Sequence, residues 1–80
     1  MKLVELTEFL IKNIVKDPDT ITVKMLEDED LITIEVLVSD DDIGVVIGKG
    51  GNHANAIRTI VQAASYLENN KRVKINIDSY

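Results

Sequence analysis

Apolar residues Leu3, Val4, Leu10, Ile11, Ile14 and Val15 recur at the spacing of one helix face, which predicts a helix from about Leu3 to Lys16. Asp17-Pro18-Asp19 stops it, because proline disfavours helical geometry in the residue before it. Ile21, Val23 and Met25 then alternate with Thr20, Thr22 and Lys24. After the polar corner Glu27-Asp28-Glu29-Asp30, the run from Leu31 to Val38 places Ile32, Ile34, Val36 and Val38 on one face. The pair reads as a hairpin with one buried face, its second and more apolar strand suited to the centre of a sheet.

Asp40-Asp41-Asp42 offers an N-cap for a short helix from about Asp42 to Ile47, since a carboxylate there accepts backbone N–H bonds. A longer helix is expected from Asn52, with Ile57, Ile60, Val61, Ala64 and Leu67 inward and Asn55, Arg58, Thr59 and Gln62 outward. Asn69-Asn70 ends it, and Val73, Ile75 and Ile77 alternate with Arg72, Lys74 and Asn76 as a last strand. The predicted order is α-β-β-α-α-β, an α+β two-layer sandwich in which three helices cover one face of a three-stranded mixed sheet. The first two strands are antiparallel. The long connection before the third allows it to lie parallel to the second.

Composition agrees with one packed unit over residues 1–80. With 45% hydrophobic and 29% charged residues the 80-residue chain has the balance of a globular domain rather than a disordered one, and it is long enough for one core only. There is no cysteine, so no disulfide or thiolate site is expected and a cytoplasmic setting is the default. Acids at Glu5 and Glu8 interrupt the opening apolar run, which argues against a targeting segment, and no stretch is apolar enough to insert in a membrane.

Net charge is −5, which at first opposes a nucleic-acid partner. Its distribution changes the picture. Residues 1–42 carry 12 acids and 4 bases, whereas residues 43–80 carry 2 acids and 5 bases, Lys49, Arg58, Lys71, Arg72 and Lys74. A polyanion site belongs in the second half.

The chain's four glycines, Gly44, Gly48, Gly50 and Gly51, fall within eight residues. Glycine takes positive φ at little cost and lets another molecule approach the backbone. Gly48-Lys49-Gly50-Gly51 immediately precedes the N-terminus of the long helix, where unpaired N–H groups and the helix dipole favour an anion, and Lys49 adds a mobile charge. Two other phosphate loops do not fit. A Walker A motif, G-x-x-x-x-G-K-S/T, is one residue too long for Gly44 to Gly50 and needs a hydroxyl where Gly50 stands. A dinucleotide fingerprint starting at Gly48 would need glycine at His53 and a preceding strand.

The run Ile43-Gly44-Val45-Val46-Ile47-Gly48-Lys49-Gly50-Gly51, followed by Ile57, resembles the KH signature I-G-x-x-I-G-x-x-G-x-x-x-x-x-I, and the element order matches the type II arrangement. The chain as a whole resembles the bacterial KhpA (YlqC-like) family of small RNA-binding proteins. That resemblance implies a GXXG loop clamping about four nucleotides of single strand. Gly48, Lys49, Gly50 and Gly51 carry over as the clamp, Gly44 and Ile47 as the helix packing behind it, and Arg58 as a contact on the second motif helix. Asn52 and His53 stand in the first turn beyond the loop as further contacts, with a solvated or capping role as the alternative for His53. Val45 and Asn52 occupy positions where the family often has a basic residue, which implies weaker binding.

The family also implies self-association or pairing with a larger KhpB (Jag, EloR) type partner, and roles in RNA regulation or chaperoning and in cell shape. The alternative is a KH fold used for protein interaction or dimerisation with weak or no RNA binding, to which an exposed Phe9 would contribute. No cofactor or metal is expected, since Asp40, Asp41 and Asp42 are explained by helix capping. One histidine and no cysteine give little basis for catalysis.

Overall fold

A computed structural model describes residues 2–80, and its elements follow the order expected from the sequence. Helix α1 spans Leu3–Lys12, strands β1 and β2 span Thr22–Glu27 and Leu31–Val38, helices α2 and α3 span Asp40–Ile47 and Asn52–Glu68, and strand β3 spans Arg72–Ser79. The sheet order is β1-β2-β3, with β1 antiparallel and β3 parallel to β2. Because Val23 pairs with Val36 and Met25 with Ile34, and Ile75 lies beside Ile34, the odd positions of β1 and β3 share a face with the even positions of β2. That face is covered by the helices.

The core forms from this face and one stripe of each helix: Leu3 and Ile11 of α1, Ile32, Ile34, Val36 and Val38 of β2, Val46 of α2, Ile57 and Val61 of α3, and Ile75 of β3. All four β2 residues are essentially inaccessible, as a central strand covered on one side requires. The opposite face of the sheet is open, and there Lys24 faces Glu35 across the β1–β2 pair.

Several boundaries and faces differ from the sequence reading. The first helix ends at Lys12 rather than Lys16. Beyond it the Asn13 amide donates to the Phe9 carbonyl (2.6 Å), and the N–H groups of Lys16 and Asp17 leave the helical pattern for the Asp42 carboxylate at 3.0 and 3.2 Å. The second helix starts earlier, at Asp40, with Ser39 rather than an aspartate as N-cap. Asp42 is buried inside that helix, accepting also from the Ser39 hydroxyl (3.2 Å). It ties α2 to the end of α1.

On α3 the buried stripe is Ala54, Ile57, Val61 and Ser65. Ile60 and Leu67 lie roughly 100° or more from the centre of that stripe by helical-wheel geometry, and they are 45% and 88% exposed rather than inward. Gln62 is half-buried because its amide straps α3 to β3: its Oε1 accepts the Val73 N–H (2.8 Å) and its Nε2 donates to the Lys71 carbonyl (3.0 Å). Met25 keeps its expected face but is 39% exposed, at a corner where Leu3 and Val4 line an open cleft beside it. The turn after α3 is as expected, Asn70 adopting a left-handed conformation (φ 55°) that asparagine tolerates better than most residues.

Asp42 also couples the fold to pH. The N–H of Lys16 holds its carboxyl below the usual value of 3.8, opposed by burial and aided by the Asp17 N–H, the Ser39 hydroxyl and the charge of Lys16. A depressed folded-state value contributes stability that is present above pH 3.8 and lost as pH falls below it. In thermal melts, Asp42→Asn should be less stable than the parent at neutral pH, and the gap should narrow in acid. A gap independent of pH would refute this account of Asp42.

Candidate nucleic-acid interface

The glycine run ends α2 and starts α3 within four residues. Gly48 leaves the helix at φ 77°, ψ 169°, residues Lys49–Gly51 make a single 3₁₀ turn, and Gly51 (φ 80°, ψ 13°) is the N-cap of α3. Gly50 is also left-handed at φ 63°. Gly48 is the most constrained of the three. Its backbone lies in a region open essentially to glycine alone, and a Cβ there would sit 2.8 Å from His53 Cγ and 2.9 Å from His53 N.

His53 thus closes the hairpin of helices. Its Nδ1 donates to the Val45 carbonyl in the last turn of α2 at 2.6 Å, so that nitrogen carries the hydrogen. The bond satisfies a carbonyl near a helix end and fixes the ring over Gly48.

Not every loop amide faces outward. The Gly48 N–H bonds the Gly44 carbonyl (2.9 Å), the Gly51 N–H bonds the Gly48 carbonyl (3.1 Å) and the Asn52 N–H points to the Lys49 carbonyl. The N–H groups of Lys49 and Gly50 make no backbone bond within the described chain, and no side chain caps the start of α3. Lys49 and Gly50 are exposed. The loop therefore presents two amides and one ammonium group at the positive end of a 17-residue helix, a geometry suited to an anionic oxygen.

The other sequence-assigned residues are placed as follows. Gly44 lies exposed on α2 with nothing within 4 Å of a built Cβ, so it does not serve close helix packing; Ile47 is half-buried behind the loop. Asn52 and His53 lie exposed in the first turn of α3. Arg58, one turn further, bonds Asn55 Oδ1 weakly at 3.4 Å and borders a cleft of about 480 Å³ along the free edge of β3.

That cleft brings together cations which spacing alone did not connect. Arg72 and Lys74 of β3 line it with Arg58. Their two-residue separation on an edge strand is the signal that could have joined them. Lys71 is held within the fold: its ammonium group donates to Glu27 Oε2 (2.7 Å) and to the Asp28 carbonyl (2.8 Å), tying the start of β3 to the β1–β2 turn. Within that turn Asp28 also accepts the N–H groups of Asp30 and Leu31. Among the described residues no cluster of His, Asp or Glu is arranged to hold a metal ion, and no helix is long and apolar enough to cross a membrane.

Comparison with known proteins gives these features a family. Residues 4–77 match the family model described as KhpA/KhpB, KH domain. Among similar proteins, one named RNA-binding protein KhpA from Clostridium perfringens is 45% identical over 69 residues, covering 86% of this chain and 92% of its own. Another of the same name from Clostridium acetobutylicum is 42% identical over 73 residues, covering 91% and 96%. Among solved structures, Aquifex aeolicus Era superposes with a TM-score of 0.76 at 18% identity, over 98% of this chain and 30% of Era. A complex of Era with MgGDPNP and a segment of 16S ribosomal RNA gives 0.73 at 18% identity, over 96% and 29%. These structures share the fold. On the family match and the identity to these relatives, the chain belongs to the KhpA/KhpB family of KH domains.

Proposed function

We propose that residues 1–80 act as a single KH domain that binds single-stranded RNA in the cytoplasm, without catalysis or a cofactor. The observation that carries the reading is the loop itself: N–H groups at Lys49 and Gly50 without a backbone partner, an uncapped helix start behind them and the Lys49 charge at the tip. Relatives of nearly the same length carry the name RNA-binding protein. In this reading Gly48, Lys49, Gly50 and Gly51 hold the sugar-phosphate backbone, Asn52 and His53 flank it, Ile47 supports it, and Arg58 meets the strand beyond the loop. The cellular role is regulation or chaperoning of RNA, with an effect on cell shape exerted together with a second copy or a larger KhpB-type (Jag, EloR) partner.

In this reading four exposed cations, Lys49, Arg58, Arg72 and Lys74, are available to neutralise phosphate. If two to four of them engage, log affinity for a short unstructured RNA should fall against log salt with a slope of about −1.4 to −2.8. Raising salt from about 50 to 200 mM then weakens binding about 7- to 50-fold. Fluorescence anisotropy at several salt concentrations measures this directly. Absence of saturable binding even at low salt would favour the second reading, a protein-interaction module. That reading draws on the net charge of −5, the 57% exposure of Phe9, and an apolar groove between α1 and α3 lined by Leu10, Ile14 and Ile60.

A further inference from the structure

Polar and small side chains form a stripe on α3 that begins at the loop. After the N-cap Gly51 come Asn55, Arg58 with Thr59, Gln62 and then Tyr66, at the three- and four-residue intervals that keep side chains on one helix face. Neighbours along the stripe are linked: the Thr59 hydroxyl donates to the Asn55 carbonyl (2.9 Å), and Arg58 Nη1 reaches the Asn55 side chain. At its far end Tyr66 is 51% exposed and lines a second shallow cleft of about 460 Å³ with Arg58, Thr59, Gln62, Ala63 and Val73.

Arg58 and Val73 border this cleft and also the one along β3, so the two form a continuous trough. Its cations are Arg58, Arg72 and Lys74, and no carboxylate lines either part. In a chain of net charge −5 such a trough is complementary to a polyanion. Its floor is fixed, because both ends of the Gln62 amide are engaged by β3 and its approach, at Val73 N–H and the Lys71 carbonyl. From Asn52 to Tyr66 is 14 residues, or about 21 Å of helix.

We infer that Tyr66 is a base-stacking platform at the end of this trough, extending the RNA site beyond the loop so that the chain takes a strand longer than four nucleotides. The inference rests on the RNA-binding reading above. An accessible aromatic ring offers its face to a base of any identity, whereas the backbone of the strand follows the cations. The platform adds length and affinity without adding sequence preference.

The test uses the full chain and a labelled unstructured RNA of about ten nucleotides, within the usual span of single-strand sites. Tyr66→Ala should stay folded, because about half of the side chain is exposed and alanine favours the helix, and should weaken binding about tenfold. Tyr66→Phe should bind within about twofold of the parent, since stacking needs the ring and not the hydroxyl. Tyr66→Trp should place an indole whose fluorescence is quenched as RNA is added. The chain has no tryptophan of its own, so that signal reports this position alone.

Parental affinity in Tyr66→Ala, with binding lost in a variant reversing charge at Lys49, would remove the platform and leave the loop reading intact. Parental affinity in both variants would remove both. Equal loss in Tyr66→Ala and Tyr66→Phe, or an unquenched Tyr66→Trp, would also overturn the stacking role. Competition by an acidic peptide that matches RNA of equal charge would identify the trough as a peptide site and overturn the inference.

Discussion

A chain carrying Lys49→Asp together with Gly50→Asp should lose measurable RNA binding while keeping its circular dichroism spectrum. The two substitutions place two carboxylates beside two amides that lack a backbone partner, in place of the ammonium group, shifting the local charge by three units. At about 4 Å each unit repulsion costs from about 1 kcal/mol in water to about 4 kcal/mol near a protein surface, so a loss of at least about 100-fold is expected. The fold should survive because both positions are exposed, and a Cβ at Gly50 meets nothing within 4 Å. Its left-handed φ of 63° is one that aspartate adopts at a cost of about 1 kcal/mol. Unchanged affinity in a correctly folded double variant would take the loop out of the mechanism.

Gly48→Ala should act in the opposite way, through stability. Two independent costs meet at this residue: a backbone conformation that a side chain resists, and a methyl group 2.8 Å from the His53 ring and 2.9 Å from the His53 backbone nitrogen. The ring can turn aside only by breaking its bond to the Val45 carbonyl, and the backbone nitrogen starts a helix and cannot yield cheaply. We expect a loss of about 2–3 kcal/mol, which for a domain of this size lowers the melting temperature by about 10–20 °C. Gly50→Ala, with strain but no contact, should cost about half as much. Equal losses at the two positions would show that the His53 contact adds nothing to the backbone term.

These two glycines look alike in sequence and differ in structure, and that contrast marks how much could be read beforehand. Element order, strand pairing and the central place of β2 were legible because each rests on a periodicity that burial enforces: Ile32, Ile34, Val36 and Val38 cannot face water together. The loop was legible because clustered glycines have few uses. What escaped depends on contacts between distant residues. Asp42 pairs with backbone 25 and 26 residues away, a bond that shortens α1 and that no local pattern announces.

Gln62 presents the same difficulty in another form. Its polarity placed it on an outer face, yet its amide satisfies backbone groups at the margin of the sheet. The width of the α3 stripe was overestimated because Ser65, a polar residue, fills a buried position that hydrophobicity would assign to Leu67; its hydroxyl donates to the Lys71 carbonyl at 2.8 Å. The grouping of Arg58 with Arg72 and Lys74 required knowing that β3 lies at an edge beside α3.

Fastening α2 at both ends has a consequence for how tightly any strand can be held. Asp42 moors its first turn to the segment after α1, and His53 moors its last turn to α3, so the loop between α2 and α3 is set before a guest arrives. Little freedom is left to surrender on contact, and that removes one common brake on affinity. The ceiling is then set by the small supply of positive charge along the path.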